Sequence, residues 1–184
     1  MASRSPGAIR AAPPRPSAMP QARFEFGTPD APSRVRASFA RQGAMATIGA
    51  SLDAVEPGYC AISLVPHAGV SQQHGYVHAG IVAAIVDSAG GYAGYSLFPA
   101  NASVLTVEFK LNLLAPAEGD RIVAEGFVVK PGRTLCITRG EVHAESRGRR
   151  RLCALMQQTL MLMHGKDDGD ERPAAARRSN EEDA

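Results

Sequence analysis

The stretch AGIVAAIVDSAGGYAGYSL, residues 79–97, decides how this chain folds. Ala83, Ala84, Ala89 and Ala93 favour helix, while Ile81, Val82, Ile85 and Val86 make it apolar on every side. A helix of that kind belongs in the interior. Gly90, Gly91 and Gly94 each cost a helix up to ~1 kcal/mol relative to alanine; the compensation would be close approach of a backbone or a ligand. Asp87 interrupts the apolar run at mid-helix, where a charge is expensive to bury unless it is paired or hydrogen-bonded. Two readings stand for it: a polar position on an exposed edge of the helix, or a desolvated carboxylate beside small residues, which is a candidate for catalysis.

Outward from that helix the pattern is mostly strand. Upstream lie a short helical stretch over 35–45, ending near Gly43, and strand candidates over 47–55 and 59–65, parted by Glu56-Pro57-Gly58. A loop with Gln and His over 71–77 leads into the helix. Downstream come strand candidates over 103–114, 121–130, 134–145 and 152–163, with turns at 116–119, Pro131-Gly132 and Arg147-Gly148. In the first of these Leu105, Val107, Phe109, Leu111 and Leu113 alternate with Thr106, Glu108, Lys110 and Asn112, which predicts one apolar and one polar face. The class is therefore α+β, a curved antiparallel sheet wrapped around a central apolar helix.

Composition marks the limits. Residues 1–33 are rich in Pro, Ala, Ser and Arg and are expected to form a disordered leader; 34–164 hold the core-forming content; 165–184 form a charged, solvated tail. Arg4, Arg10, Arg15 and Arg23 precede the first acidic residue, Glu25, as in an organellar transit peptide. Five prolines among the first 20 residues would break the amphipathic helix such peptides form, so a disordered leader or an overlong start is expected. A net charge of +2 points to no nucleic-acid partner, and the run Arg147, Arg149, Arg150, Arg151 reads as a solvated turn. No apolar run approaches the ~18 residues of a membrane span. Three cysteines without a CxxC pair argue against a disulfide framework or structural zinc. A reducing, cytoplasmic setting follows.

The string His74-Gly75-Tyr76-Val77-His78-Ala79-Gly80, with Asp87 seven residues beyond Gly80, resembles the HGG…D motif of the phenylacetate-type (PaaI-like) hotdog-fold thioesterases. The run 105–110 with Ala115-Pro116-Ala117 is similar to that family's third strand and closing proline, and 130–135 to its next hairpin. The resemblance spans roughly 35–163 and implies hydrolysis of an acyl-CoA thioester, with CoA as part of the substrate and neither cofactor nor metal. It implies Asp87 as nucleophile or general base, the Ala79 backbone N–H as donor to the thioester carbonyl, Gln72 near that carbonyl, and Thr106 holding the attacking water. Ala79 departs from the glycine common at that position. His78 and Gly80 beside the donor complete the expected substrate contacts, with Arg133, which reads first as part of a hairpin turn, as a second-choice contact to the CoA phosphates.

Eight residues separate Ala79 from Asp87, ~12 Å along a helix, whereas catalytic groups lie ~3 Å from the reacting atoms. A homodimer, or a dimer of dimers, is therefore expected, with each site shared between two chains. Two rival readings remain. One is a non-catalytic module that binds acyl-CoA. The other is a hotdog enoyl-CoA hydratase or dehydratase using His78 with Asp87. A metal on His74 and His78 is disfavoured because His74 precedes the helix, and no GxSxG elbow is present. Val77, Tyr92, Tyr95 and Phe98 read equally well as an acyl pocket and as core.

Overall fold

The computed structural model of the protein describes residues 24–165; of the leader expected over 1–33 and the tail expected over 165–184, residues 1–23 and 166–184 lie outside them. The chain forms α1 (Ala31–Ala40), α2 (Gly43–Thr47), β1 (Ser51–Glu56), β2 (Tyr59–Leu64), a single 3-10 turn (Ala68–Val70), α3 (Ala79–Tyr95), β3 (Ala102–Leu113), β4 (Arg121–Lys130), β5 (Leu135–Ser146) and β6 (Arg149–His164). The strands make one sheet in the order β1-β2-β4-β5-β6-β3, each neighbouring pair antiparallel. Hairpins join β4 to β5 and β5 to β6, whereas α3 carries the chain across to set β3 on the far edge. Contacts run from α3 to all six strands, so the sheet curls about it. The α+β hotdog arrangement expected from residues 79–97 is the one observed.

Glycines let the helix sit so close. A Cβ on Gly126 of β4 would lie 2.3 Å from the Ala89 backbone, and one on Gly140 of β5 would lie 2.4 Å from Val86. Helix backbone thus rests directly on sheet backbone at β4. Around that contact Ile62, Ile85, Val86, Ile122, Val142 and Leu160 are fully buried, each worth roughly 1.5–3 kcal/mol of transfer from water. Of the four residues read as either acyl pocket or core, Tyr95 and Phe98 belong to the core alone, while Val77 and Tyr92 are buried in the same cluster and also border cavities along the helix. The Tyr95 hydroxyl accepts from Arg34, which also reaches the carbonyls of Phe98, Pro99 and Ala102 and so fastens α1 to the end of α3.

Several boundaries move. The folded segment begins before residue 34, because α1 starts at Ala31 with Pro32 in its first turn, a position where a missing N–H costs nothing. The Gly27 N–H donates to the Ser96 carbonyl at 3.0 Å and Phe24 packs on the core. The helix expected over 35–45 is two helices, broken where Gln42 adopts an extended conformation, and Gly43 opens the second instead of ending the first. Thr47 therefore closes a helix, and the first strand begins at Ser51, after Gly49 at φ 70°. The arginine run is mostly strand: only Arg147 and Gly148 turn, at positive φ, while Arg150 pairs with Glu125 and Arg151 with Glu118.

The single apolar face expected for β3 is also corrected. Its register against β6 shifts between Thr106 and Glu108, which bulges the strand at Val107. Val104 and Thr106 pair with the buried Leu162 and Leu160 and share their helix-facing side; beyond the bulge Phe109, Leu111 and Leu113 take over that side. Leu105 instead faces outward beside Met161 and Leu135. The free edge of β3 leaves Phe109 45% and Leu113 55% exposed.

Candidate active site

Two cavities open along the central helix, one at its N-terminus and one at its middle. At the N-terminus His78 is the cap residue, extended at φ −60°, ψ 138°, and its Nδ1 accepts the Gly80 N–H at 2.9 Å. The Ile81 and Val82 N–H groups donate to the His78 carbonyl at 2.9 and 3.1 Å. Among the described residues this leaves the Ala79 N–H as the first-turn donor without an acceptor. It lines a cavity of about 490 Å³ together with Gln72, His78, Leu113 and Leu114. An unpaired N–H at the positive end of a helix stabilises developing negative charge. His78 and Gly80 thus act on each other: the imidazole consumes the Gly80 N–H, so Gly80 offers no donor, and a Cβ there would sit 3.1 Å from His78 Nδ1.

Gln72 lines the same cavity. Its Oε1 accepts the His74 N–H, and its backbone N–H donates to the Tyr76 carbonyl at 2.8 Å, closing the loop on itself. With Oε1 engaged, the Nε2 donors are turned free. Cys153 also borders the cavity, but burial pushes its thiol above the usual range, which makes it a poor nucleophile.

Asp87 lies in the second cavity, of about 170 Å³, with Thr106, Ser88, Gly91 and Tyr92. Its Oδ1 accepts from Thr106 Oγ1 at 2.8 Å and from Gln158 Nε2 at 2.6 Å. Gln158 also donates to the Asp87 carbonyl at 3.1 Å and contacts Thr106 Oγ1 at 3.1 Å. Thr106 was expected to hold water; its one hydroxyl proton is directed to the carboxylate. The partner that the sequence reading missed is Gln158, fully buried on β6, with the equally buried Thr138 donating to its Oε1 at 2.7 Å. A signal existed: Gln158 occupies an inward position between Met156 and Leu160, where the strand is otherwise apolar.

The expected carbonyl donor and the expected catalytic carboxylate therefore stand in different cavities of one chain. Gln72, His78 and Ala79 share the first, Asp87 and Thr106 the second. His78 and Asp87, the pair a hydratase would use, are separated in the same way. Arg133 is at neither: it is exposed in the β4–β5 turn, its carbonyl accepting from His164 Nε2 at 3.0 Å, near the Ala102 end of β3.

Likeness to known proteins agrees with the fold. A family model described as the thioesterase superfamily matches residues 74–150, a span that contains Ala79, Asp87 and Thr106 and stops before Gln158. A Halobacterium salinarum protein carrying an esterase assignment is 30% identical over 115 residues, covering 60% of this chain and 76% of its own length. The crystal structure of a thioesterase family protein from Silicibacter pomeroyi superposes with a TM-score of 0.72 at 47% identity, covering 73% of this chain and 99% of that one. The PaaI protein of the E. coli phenylacetic acid degradation operon shares the fold at a TM-score of 0.68 and 17% identity, over 75% of this chain and 96% of that one. At 47% identity over nearly all of that thioesterase family protein from Silicibacter pomeroyi, and with the family model matching around the central helix, the chain belongs to the thioesterase superfamily.

Proposed function

We propose that this protein hydrolyses an acyl-CoA thioester to the free acid and CoA, at sites shared between two copies of the chain. The observation that carries the reading is the Ala79 N–H left without an acceptor at the start of a helix whose middle presents a hydrogen-bonded carboxylate. The thioester carbonyl oxygen accepts from that N–H and from Gln72 Nε2, where the helix terminus stabilises the oxyanion. Asp87 either attacks the carbonyl carbon or takes a proton from the attacking water. The C–S bond then breaks and CoA leaves as its thiolate. In the first route water hydrolyses the mixed anhydride left on Asp87; in the second the proton that Asp87 took from water passes to the thiolate. Incubating the protein with a panel of saturated and aromatic acyl-CoAs should release free thiol, while enoyl-CoAs should gain no water. Tight CoA-ester binding without thiol release, or hydration of the enoyl-CoA alone, would point to one of the rival functions.

The free edge of β3 supports the sharing. Antiparallel pairing of two β3 strands about a two-fold axis near Lys110, midway between Thr106 and Leu114, brings Asp87 of one chain toward the N-terminal cavity of the other and covers Phe109 and Leu113. The same operation carries Arg133 from the Ala102 end of β3 to the partner's cavity, within reach of the CoA phosphates. Sedimentation at assay concentration should therefore show a dimer or larger assembly. A fully active monomer would sink the shared site.

A further inference from the structure

We infer that Gln158 is a positioning residue for the Asp87 carboxylate, tying down Oδ1 so that Oδ2 is the oxygen left to react. The inference rests on the thioesterase reading but concerns which atom acts and what holds it. An ionised carboxylate only accepts, so the Gln158 amide must turn Nε2 toward Asp87; Oε1 then faces Thr138, whose hydroxyl donates to it at 2.7 Å. The amide is thus fixed at both ends. Its Nε2 reaches Asp87 Oδ1 at 2.6 Å and the Asp87 carbonyl at 3.1 Å, gripping the residue by side chain and backbone together. Thr106 adds a second donor to the same oxygen at 2.8 Å. No described residue donates to Oδ2, and the cavity that Asp87 lines lies open beside it.

The helix is shaped around this amide. A Cβ on Gly90 would lie 2.1 Å from Gln158 Oε1 and 3.1 Å from Thr138 Oγ1, so only glycine leaves room for the pair. That supplies a reason for a glycine that intrinsic helix preference opposes. The polar contacts of this buried glutamine go to Asp87, to Thr106 beside it and to the Thr138 anchor, whereas packing alone would be served as well by Met at the same length. Gln158 is fully buried behind Asp87 and Thr106 and lines neither cavity itself, so it acts through the carboxylate and keeps off the substrate.

Replacing Gln158 with Met is the test. Losing a charge-assisted bond to the reacting group should lower kcat ~10-fold or more, with KM changed less than about twofold because no substrate contact is touched. In an Asp87→Asn background the same replacement should cost almost nothing further, since Gln158 acts through the carboxylate. Equal losses in both backgrounds, or an unchanged kcat in a folded Gln158→Met protein, overturn the proposal. Should that variant fail to fold, Thr138→Val frees Oε1 while keeping shape, and a fall in kcat of the same direction but smaller size is expected; no change counts against the anchor. Crystal structures of wild type and Gln158→Met read the carboxylate directly. One ordered rotamer in the first and a spread of rotamers in the second supports positioning even if no thioester is hydrolysed, which would defeat only the functional reading. An equally ordered Asp87 in both overturns positioning itself.

Discussion

Asp87→Asn should lower thioester turnover by ~10² or more, the usual scale for losing a general base, while leaving the fold intact. The substitution is close to invisible to the packing. The asparagine Oδ1 can accept from Gln158 Nε2 and Thr106 Oγ1 where the carboxylate oxygen now sits at 2.6 and 2.8 Å. Only the outward atom changes, from an oxygen able to attack or take a proton into an amide nitrogen able to do neither. Binding of an unreactive CoA analogue, and the assembly state, should persist. The measurements are single-turnover hydrolysis, analogue titration and thermal unfolding of the same preparations. If Asp87 is only structural the pattern reverses, with a shifted melting temperature and wild-type hydrolysis per folded molecule.

How this site was legible in the sequence follows from what sequence patterns encode. Residues 79–97 betray a buried helix because nothing else tolerates apolar residues on every side, and Asp87 stands out there for the same reason. Periodicity cannot show where a ladder slips. The alternation through Leu105, Val107 and Phe109 is regular on paper, yet the bulge at Val107 turns Leu105 outward and Phe109 inward. Register against β6 decides that, and register is a property of two strands. The grip on Asp87 was hidden for a related reason. Gln158 lies 71 residues downstream, and its meaning appears only once the sheet has curled β6 beneath the helix. The break between α1 and α2 depended on local backbone geometry at Gln42 that composition does not specify. The motif places Gly80 as a substrate contact, but the His78 ring, folding back as a cap, takes its N–H and leaves the Ala79 N–H without an acceptor among the described residues.

Ala79→Pro should then remove ~10²–10³ of kcat/KM, the scale of a lost oxyanion donor, with little effect on stability. Proline is well suited to the first position of a helix, where the N–H has no helical partner. The preceding residue already has the extended backbone a proline requires, since His78 lies at φ −60°, ψ 138°. What disappears is the backbone N–H proposed to donate to the thioester carbonyl. Ala79→Gly is the control: it keeps the donor and should stay within a few-fold of wild type. Thermal unfolding should place both variants near the parent, and a large stability loss in the proline variant would mean that the position matters for folding instead. The two crippled chains also test the sharing of sites. Asp87→Asn homodimers and Ala79→Pro homodimers are each inactive, but in a mixed dimer one site collects both defects and the other none. Random equal mixing makes half the dimers mixed, so about a quarter of wild-type activity should return if the interface is two-fold. If each chain completed its own site, no mixed dimer could recover, and activity would stay at the level of the separate variants even with heterodimers shown to form. That outcome would leave Asp87 and Ala79 in their roles and remove the partner from the chemistry, which the ~12 Å between them on one helix makes the less accessible geometry.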